Sequence, residues 1–356
     1  MASDISGAEA AIRATQARAT RLVAGVDRTG RASLHRLLGT LQAADARLGE
    51  RLRRDAAMLG GETARFTGAQ ATVYRAQVRL AIREVEAGLA GIVLGQSNHA
   101  IDSAGRDAVK LVKTLERRFA GIAQAIPLDA AGVLAGARAT VVPSLLRLHA
   151  SSVDRYGIAM IQEFEQRIAI GLMSGMSQHE MVDWLCEHAG PTGSVSMAAR
   201  VVGGRVLRTR TEQIAEGLFR RHRYWAWRIV RTETARAYNL AKDESIGEME
   251  ETFPDLARKI LAHFDDRTAE DSIAVHGQVR RRGEFFRDGA GRVYERPPAR
   301  PNDRETLIPW RASWPETDAT RGLTAGEQRS TLDQIAQARR QRGQGRRPPP
   351  IRPTAA

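Results

Sequence analysis

Cysteine, lysine and long apolar runs are all scarce in this chain of 356 residues. Cys186 is the only cysteine, so the chain by itself can form neither an internal disulfide nor a zinc site built from several thiolates. No run of consecutive apolar residues approaches the length of a membrane span, and the opening segment lacks the basic and apolar parts of a secretion signal. We therefore expect a soluble, unsecreted protein without a membrane span.

Lysine is nearly absent although the chain is strongly basic. Its only lysines are Lys110, Lys113, Lys242 and Lys259, and the other fifty basic residues are arginines. The planar guanidinium binds phosphate and carboxylate groups in bidentate fashion, but a GC-rich genome produces the same bias toward arginine. The formal charge of +13 favours a nucleic acid or another acidic surface as a neighbour.

The first half of the chain has no proline before Pro127, and its composition favours helix. Apolar residues recur there at helical spacing, which predicts antiparallel helices in a hairpin or bundle over residues 1–135. The three apolar stripes are Leu34, Leu37, Leu38, Leu41, Leu48 and Leu52; then Val78, Ile82, Val85, Leu89 and either Ile92 or Val93; then Val112, Leu115, Phe119 and Ile122. Gly60 and Gly61 are expected to end the first of them.

A second helical region is predicted over residues 136–253. Ser177 followed by Glu180 has the spacing of a capping box, and GPTGSVSM at 190–197 interrupts the helical pattern. A basic helix is then expected from near Thr211 to about Glu251, carrying the segment RIVRTETARAYN.

After Pro254 the pattern changes to short strands, which predicts a small α+β module over residues 254–314. The expected strands are KILAHF, EFFRDG, GRVYER and LIPW, and the segment DGAG at 288–291 predicts a hairpin turn. Residues 315–356 are expected to form a flexible basic tail, disordered from Ala336 onward, where six arginines and no acid occur. The predicted fold class is therefore mainly α, with a long helical body, the α+β module and a disordered tail.

Two groups of residues are typical of enzymes, but neither fits its chemistry well. Glu248 and Glu250 have the ExE spacing of ADP-ribosyltransferases, yet they lie at the end of a charged helix. A metal nuclease would place carboxylates beside histidine, and the candidates are His263, Asp265, Asp266 and His276. The run Asp265–Thr268 is also typical of a turn and helix N-cap, which we favour. With no phosphate loop or nucleophile motif present, we expect no catalytic residue and no enzyme.

Three separated segments resemble one family in their order and spacing. They are RIVRTETARAYN at 228–239, HFDDRTAEDSIAVHGQV at 263–279 and PPARPNDRE at 297–305. Together they resemble the Mu F-like, or SPP1-type, head morphogenesis family of tailed bacteriophages, over about residues 140–312. In that family an Arg-Thr-Glu helix leads into a module reading D-x-R-T-C-x-x-C-x-x-x-H-G and ending P-x-H-P-x-C-R-C. The resemblance implies a structural or interaction motif formed by Arg231, Thr232, Glu233, Thr234, Arg236, Asn239, Asp265, Asp266, Arg267, Thr268, His276 and Gly277.

This chain departs from the family pattern where the family has its metal ligands. Ala269 and Ser272 stand at the CxxC positions, and no cysteine or histidine occurs in the segment 300–305. Two interpretations remain open. In the one we favour, the module holds no metal or cofactor and is stabilised by Arg-carboxylate pairs and by packing of Phe264, Phe285, Phe286, Val293, Tyr294 and Trp310. In the other, a harder cation is bound by Asp303, Glu305 and His276.

Glu233 is expected on the polar side of its helix, paired with Arg236 or Arg267. We expect this motif to fix the helix against the α+β module rather than to contact portal or DNA directly.

The resemblance implies a structural minor head protein that acts in procapsid assembly, in the virion and, during assembly, in the host cytoplasm. Its implied partners are the portal protein, the major capsid protein and packaged double-stranded DNA. We expect salt-dependent phosphate contacts from the tail, through Arg339, Arg340, Arg342, Arg346, Arg347 and Arg352. The alternatives are a head-associated metal nuclease or ADP-ribosyltransferase, and a cellular nucleoid-type DNA-binding protein, against which the motif order argues.

Overall fold

A computed structural model describes residues 2–25, 27–59, 64–119, 128–186, 219, 222–301, 303–344 and 351. The chain divides into two compact units, each discontinuous in sequence. Unit 1 comprises Met1–Gly30, Gly95–Leu146 and Arg231–Ala356, and unit 2 comprises Arg31–Leu94 and Arg147–Val230. The whole α+β module therefore belongs to unit 1.

Long helices dominate the described residues, which confirms the mainly α fold class. A small α+β region with short antiparallel strands follows the helical body, as expected. The helices are α1 (Ala2–Ala24), α2 (Arg28–Met58), α3 (Gly68–Phe119), α4 (Ala130–Met173), α5 (Gln178–Cys186), α6 (Arg223–Met249), α7 (Glu270–Val275) and α8 (Ala325–Gly343).

The second and third predicted stripes lie on one continuous helix, α3, rather than on two helices joined by a turn. Single glycines such as Gly88 and Gly95 lower helix propensity but do not end a helix, since no proline or cap accompanies them. The buried stripe of α2 includes Leu37, Leu41 and Leu48, whereas Leu38 is exposed. Gly60, Gly61, Ile122 and residues 190–197 lie outside the described residues, as does the expected helix start near Thr211.

Unit 2 is built from parts of α2, α3, α4 and α6 together with α5. Helices α2 and α3 approach closely at Gly88, where a Cβ atom would lie only 2.7 Å from the Thr40 methyl group. The capping box at the start of α5 is confirmed: Glu180 accepts the Ser177 N–H at 2.8 Å, and its own N–H reaches the Ser177 hydroxyl at 3.3 Å.

Helix α4 has the length and mean hydropathy of a membrane-crossing helix, on those two measures alone. The sequence predicted no membrane span because no run of consecutive apolar residues is long enough. Mean hydropathy over a window gives a different result, because scattered polar residues interrupt a consecutive run but change the average little. Val141 and Leu145 of α4 are buried in the core of unit 1, with Ala104 of α3 and Tyr238 of α6.

The α+β module contains five short strands: β1 (Leu256–Leu261), β2 (Val279–Arg280), β3 (Phe286–Arg287), β4 (Val293–Tyr294) and β5 (Thr306–Arg311). Three of them form an antiparallel sheet in the order β2-β1-β5. The second sheet, β3-β4, is the predicted hairpin, whose turn is closed by the Gly291 N–H donating to the Asp288 carbonyl at 3.0 Å. Pro309 is tolerated in β5 because that strand lies at a sheet edge.

The expectation of a flexible segment from residue 315 is wrong for residues 325–343, which form α8. Thr324 and Glu327 form a capping box at its start. Ile335 and Ala338 of α8 are buried in a cluster with Ile273 of α7 and Leu323. The arginine-rich composition suggested disorder, but Leu332, Ile335 and Ala338 give the second half of the helix an apolar face that docks it.

Replacing Ile335 by Ala should destabilise the chain by about 2–5 kcal/mol, because the change removes a buried side chain and leaves a cavity. Urea unfolding measures the difference, and Gln337→Ala, at an exposed position of the same helix, is the control. Hydrogen exchange should show protected amides over residues 329–343. Fast exchange there, with equal stability of both variants, would contradict a docked helix.

Candidate functional site

The C-terminal part of α6, within unit 1, is buried almost all the way round although it is rich in polar residues. Thr232, Glu233, Thr234 and Asn239 are all buried. The side chain of Asn239 donates to the Glu305 carbonyl at 3.1 Å and accepts the Leu307 N–H at 3.0 Å. An amide group offers both a donor and an acceptor, so Asn239 makes the two hydrogen bonds to the backbone of β5 and the residue before it that a neighbouring strand would otherwise make. This joins the Arg-Thr-Glu helix to the module, in line with the expected structural role.

Glu233 forms an ion pair with Arg236, one of its two expected partners. Its side chain is only 2% exposed, so its predicted position on a polar face is wrong. The error arises because α6 is largely covered at this point, so that even the side chain of Arg236 is only 28% exposed.

A second buried chain of polar groups runs from α6 to α3 and α1. Lys242 donates to the Tyr238 hydroxyl at 2.9 Å, and that hydroxyl donates to Asp107 at 2.9 Å. Arg18 completes the chain through an ion pair with Asp107. Burial lowers the pKa of Lys242 to about 8, against the opposing effect of Asp107. Sequence periodicity did not predict this series of hydrogen bonds, because it joins residues of α6, α3 and α1 that are far apart along the sequence.

Arg258, in the central strand β1, is fully buried and lies between α6 and the hairpin. Its guanidinium pairs with Asp243 of α6 and donates to the carbonyls of Arg281, Glu284 and Glu295 at 2.6–3.1 Å. One buried cation thus connects β1 with α6 and with the segments before and after the hairpin strands. The sequence pattern did not reveal this contact, although two adjacent basic residues, Arg258 and Lys259, between apolar strand residues are a detectable signal.

The run Asp265–Thr268 forms the predicted turn. A carboxylate oxygen of Asp265 accepts the Arg267 N–H at 2.7 Å, and the Thr268 hydroxyl accepts the Asp265 N–H at 2.8 Å. The predicted helix cap is wrong, because α7 begins at Glu270 and its N-cap, Ala269, makes no side-chain hydrogen bond.

A cavity of about 130 Å³ lies beside this turn in the α+β module. The cavity is lined by Ala269 and Ser272, which align with the two cysteines of the CxxC motif in the family resemblance. It is also lined by residues of the segment 300–305, which aligns with the last part of the family's P-x-H-P-x-C-R-C motif. The described lining residues are His263, Arg267, Thr268, Ala269, Ser272, Arg300, Pro301, Asp303, Arg304 and Glu305.

Arginine side chains cross-link the two segments that form this cavity. Arg300 pairs with Asp271 and donates to the Ser272 hydroxyl at 2.5 Å. Arg304 binds both carboxylate oxygens of Asp265. Hydrogen bonds to Arg304 and its charge hold the pKa of Asp265 at about 2, against burial, which acts in the opposite direction.

Two acidic residues that line the cavity, Asp303 and Glu305, are buried. Burial, together with the nearby Asp303, raises the pKa of Glu305 to about 8. The Tyr294 hydroxyl donates to Glu305 at 2.8 Å. Asp303 accepts the N–H groups of Ala299 and Arg304 at 3.1 and 3.0 Å, and burial raises its pKa as well. The pair is therefore suited to holding a proton near neutral pH.

The residues proposed for a metal nuclease do not form one group. No set of three or more His, Cys, Asp or Glu side chains that could hold a metal ion occurs among the described residues. His276 accepts the Ala262 N–H at 3.1 Å and packs against Phe264. It does not line the cavity with Asp303 and Glu305. Gly277 has a φ of +81° and approaches the Gly322 backbone, so it has a local structural role.

Three of the six tail arginines lie in α8. Arg339 donates to the carbonyls of Asp266 and Thr268 at 3.0 and 2.8 Å, and Arg342 pairs with Asp266. Arg340 is exposed. Arg346, Arg347 and Arg352 lie outside the described residues.

Comparisons with protein-family models, curated proteins and solved structures give no match to this chain.

Replacing Glu305 by Gln should make stability less dependent on pH. The folded chain holds the Glu305 proton up to about pH 8, whereas the unfolded chain releases it near pH 4.5. The associated stability is complete below the unfolded pKa and is lost as pH rises through the folded pKa. Between about pH 5 and about pH 9, the free energy of unfolding of the wild type should therefore fall by more than about 1 kcal/mol relative to that of Glu305→Gln.

Urea unfolding at both pH values measures this difference, with the exposed Glu251→Gln as the control. If the free energy of unfolding changed equally with pH in the wild type and in Glu305→Gln, a proton held at Glu305 would be excluded.

Replacing Glu233 by Ala should lower the melting temperature by several degrees, because the change leaves Arg236 without its buried partner and costs about 2–4 kcal/mol. Glu248→Ala, at an exposed position on the same helix, should have a much smaller effect. An unchanged melting temperature combined with lost head assembly would instead assign Glu233 to a direct contact with a partner.

Proposed function

We propose that this chain is a structural minor head protein of a tailed bacteriophage, which acts by adhesion during procapsid assembly. Its main partner in this proposal is the portal protein, alone or with the major capsid protein. Packaged double-stranded DNA is the second partner, and the phage head is its location.

The proposal depends chiefly on one observation about the α+β module. Two segments that resemble the metal-binding motifs of head morphogenesis proteins are separated by about thirty residues, yet both line one cavity. Arg-carboxylate pairs link them there. This supports a shared architecture in which polar pairs replace a structural metal.

Unit 2 offers an apolar surface for a protein partner. Within its part of α4, four large apolar side chains are exposed, with Met173 reaching 78%. At 100° per residue, they fall within a sector of about 120° of the helix circumference. Ile170 and Met173 lie one turn apart on this face, and adjacent exposed apolar side chains of this kind can form part of a protein interaction site. These four residues, named the α4 apolar face below, are Leu148, Ile158, Ile170 and Met173.

Adhesion is a better explanation of the polar residues than catalysis. Asp265, Asp266 and His276, proposed above for a nuclease, each take part in an ion pair or hydrogen bond within the fold. Glu248 lies in the last turn of α6 and Glu250 just after its end, so the ExE pair is not on a strand. We therefore propose a non-enzymatic role.

Co-sedimentation with the portal protein encoded beside this chain tests the proposal. Binding should survive a change from about 50 mM to about 500 mM salt, because a packed apolar interface is only weakly screened. Replacing Ile158 and Met173 together by Ser should weaken it. Replacing Leu80 and Leu94, two apolar residues exposed on α3, is the matched control.

Absence of binding, or binding lost at the higher salt concentration, would contradict a packed portal interface. Equal losses in the two double variants would contradict the assignment to the α4 apolar face.

A further inference from the structure

The segment 280–293, named the basic hairpin below, has one face packed inward and the other exposed. In the β3–β4 pairing, Phe286 lies opposite Tyr294 and Arg287 lies opposite Val293. Phe286 is fully buried. Successive strand residues point to opposite faces, so Arg287, Val293 and Phe285 share the outer one.

Two apolar side chains on this outer face are exposed. Phe285 is 56% exposed and Val293 is 53% exposed. The expectation that both would pack inside the module is therefore wrong. The alternation of strand faces explains the error: Phe286 and Tyr294 take the inward positions, and their neighbours must point outward.

The segment that carries these two apolar side chains is rich in positive charge. The segment contains five arginines and only two acidic residues. Within the described part of the chain, the side chains of Arg281 and Arg287 have no hydrogen bond or ion pair. Arg280 donates to the carbonyls of Phe285 and Val279, which leaves its charge uncompensated.

The basic hairpin is also held firmly at its base. Arg258 donates to the carbonyls of Arg281 and Glu284 at 2.6 and 2.7 Å. On the other side of the hairpin, Arg296 pairs with Asp243 at 2.9 Å. The exposed cations therefore project from an ordered support, which lowers the entropic cost of binding.

We propose that the outer face of the basic hairpin binds double-stranded DNA. Arg281 and Arg287 contact backbone phosphates, while Phe285 and Val293 contact the sugar edges of the groove. The inference rests on the proposed function only in taking DNA as a partner, and it assigns that contact to the hairpin instead of the tail.

The shape and charge of the hairpin favour DNA over an acidic protein. A stable protein interface buries about 800 Å² on each partner around an apolar core, and two isolated apolar side chains are too few for that. A two-stranded ribbon fits the major groove of DNA, which is about 12 Å wide. Uncompensated arginines supply the phosphate contacts that dominate DNA affinity.

Fluorescence anisotropy with a labelled duplex of about 20 base pairs, titrated with the full chain at several salt concentrations, tests the proposal. The double variant Arg281→Gln/Arg287→Gln should reduce the slope of log affinity against log salt by about 2, one unit for each lost phosphate contact. The ratio of wild-type to variant affinity should then grow about tenfold between about 200 mM and about 50 mM salt.

Phe285→Ser should weaken binding without changing the salt slope, because it removes no charge. The matched control is Arg106→Gln/Arg329→Gln, which removes the same charge at two other exposed positions of unit 1. Its effect on the slope should be less than half that of the hairpin variant. Equal effects of the two double variants would overturn the proposal, as would absence of DNA binding by the wild type at about 50 mM salt.

Co-sedimentation with the portal protein separates this inference from the proposed function. Retained portal binding together with unchanged DNA binding by the hairpin variant would overturn the hairpin site alone. Loss of portal binding in the hairpin variant, with DNA binding unchanged, would assign the same face to an acidic protein surface and also overturn it.

Discussion

The α+β module depends on one buried ion pair, Arg258 with Asp243. A guanidinium that loses all its water must recover hydrogen bonds inside the fold, and Arg258 does so through Asp243 and three backbone carbonyls. These partners belong to α6, to the loop before β3 and to the strand end after β4. Their positions are therefore set together, and the orientation of the exposed basic hairpin follows from the same contacts.

A related principle operates at the cavity beside the Asp265 turn. Arg300 and Arg304 pair with carboxylates across two loops, and the buried Glu305 is held by Tyr294. Charge-assisted hydrogen bonds of this kind are directional, so they fix geometry as well as supplying energy. The cost is sensitivity to pH, because buried carboxyl groups titrate away from their ordinary range.

We propose different partners for the two units, a protein for unit 2 and DNA for unit 1, because the two units expose different chemical groups. Unit 2 presents large apolar side chains along α4, and unit 1 presents arginines without partners on the basic hairpin. Apolar surface suits a protein partner and free cations suit phosphates. The tail arginines that lie in α8 are less available, since Arg339 and Arg342 are bonded to the turn at Asp266 and Thr268.

Local patterns in the sequence determined the helical class, the capping box at Ser177 and the hairpin turn at Asp288, because each depends on residues only a few positions apart. Tertiary structure alone decided that α8 docks beside α7 and that Glu233 is buried. It also decided the contacts of Arg258, Asn239 and Arg300. Each of these joins residues far apart along the chain, and periodicity carries no information about which distant element will cover a polar group.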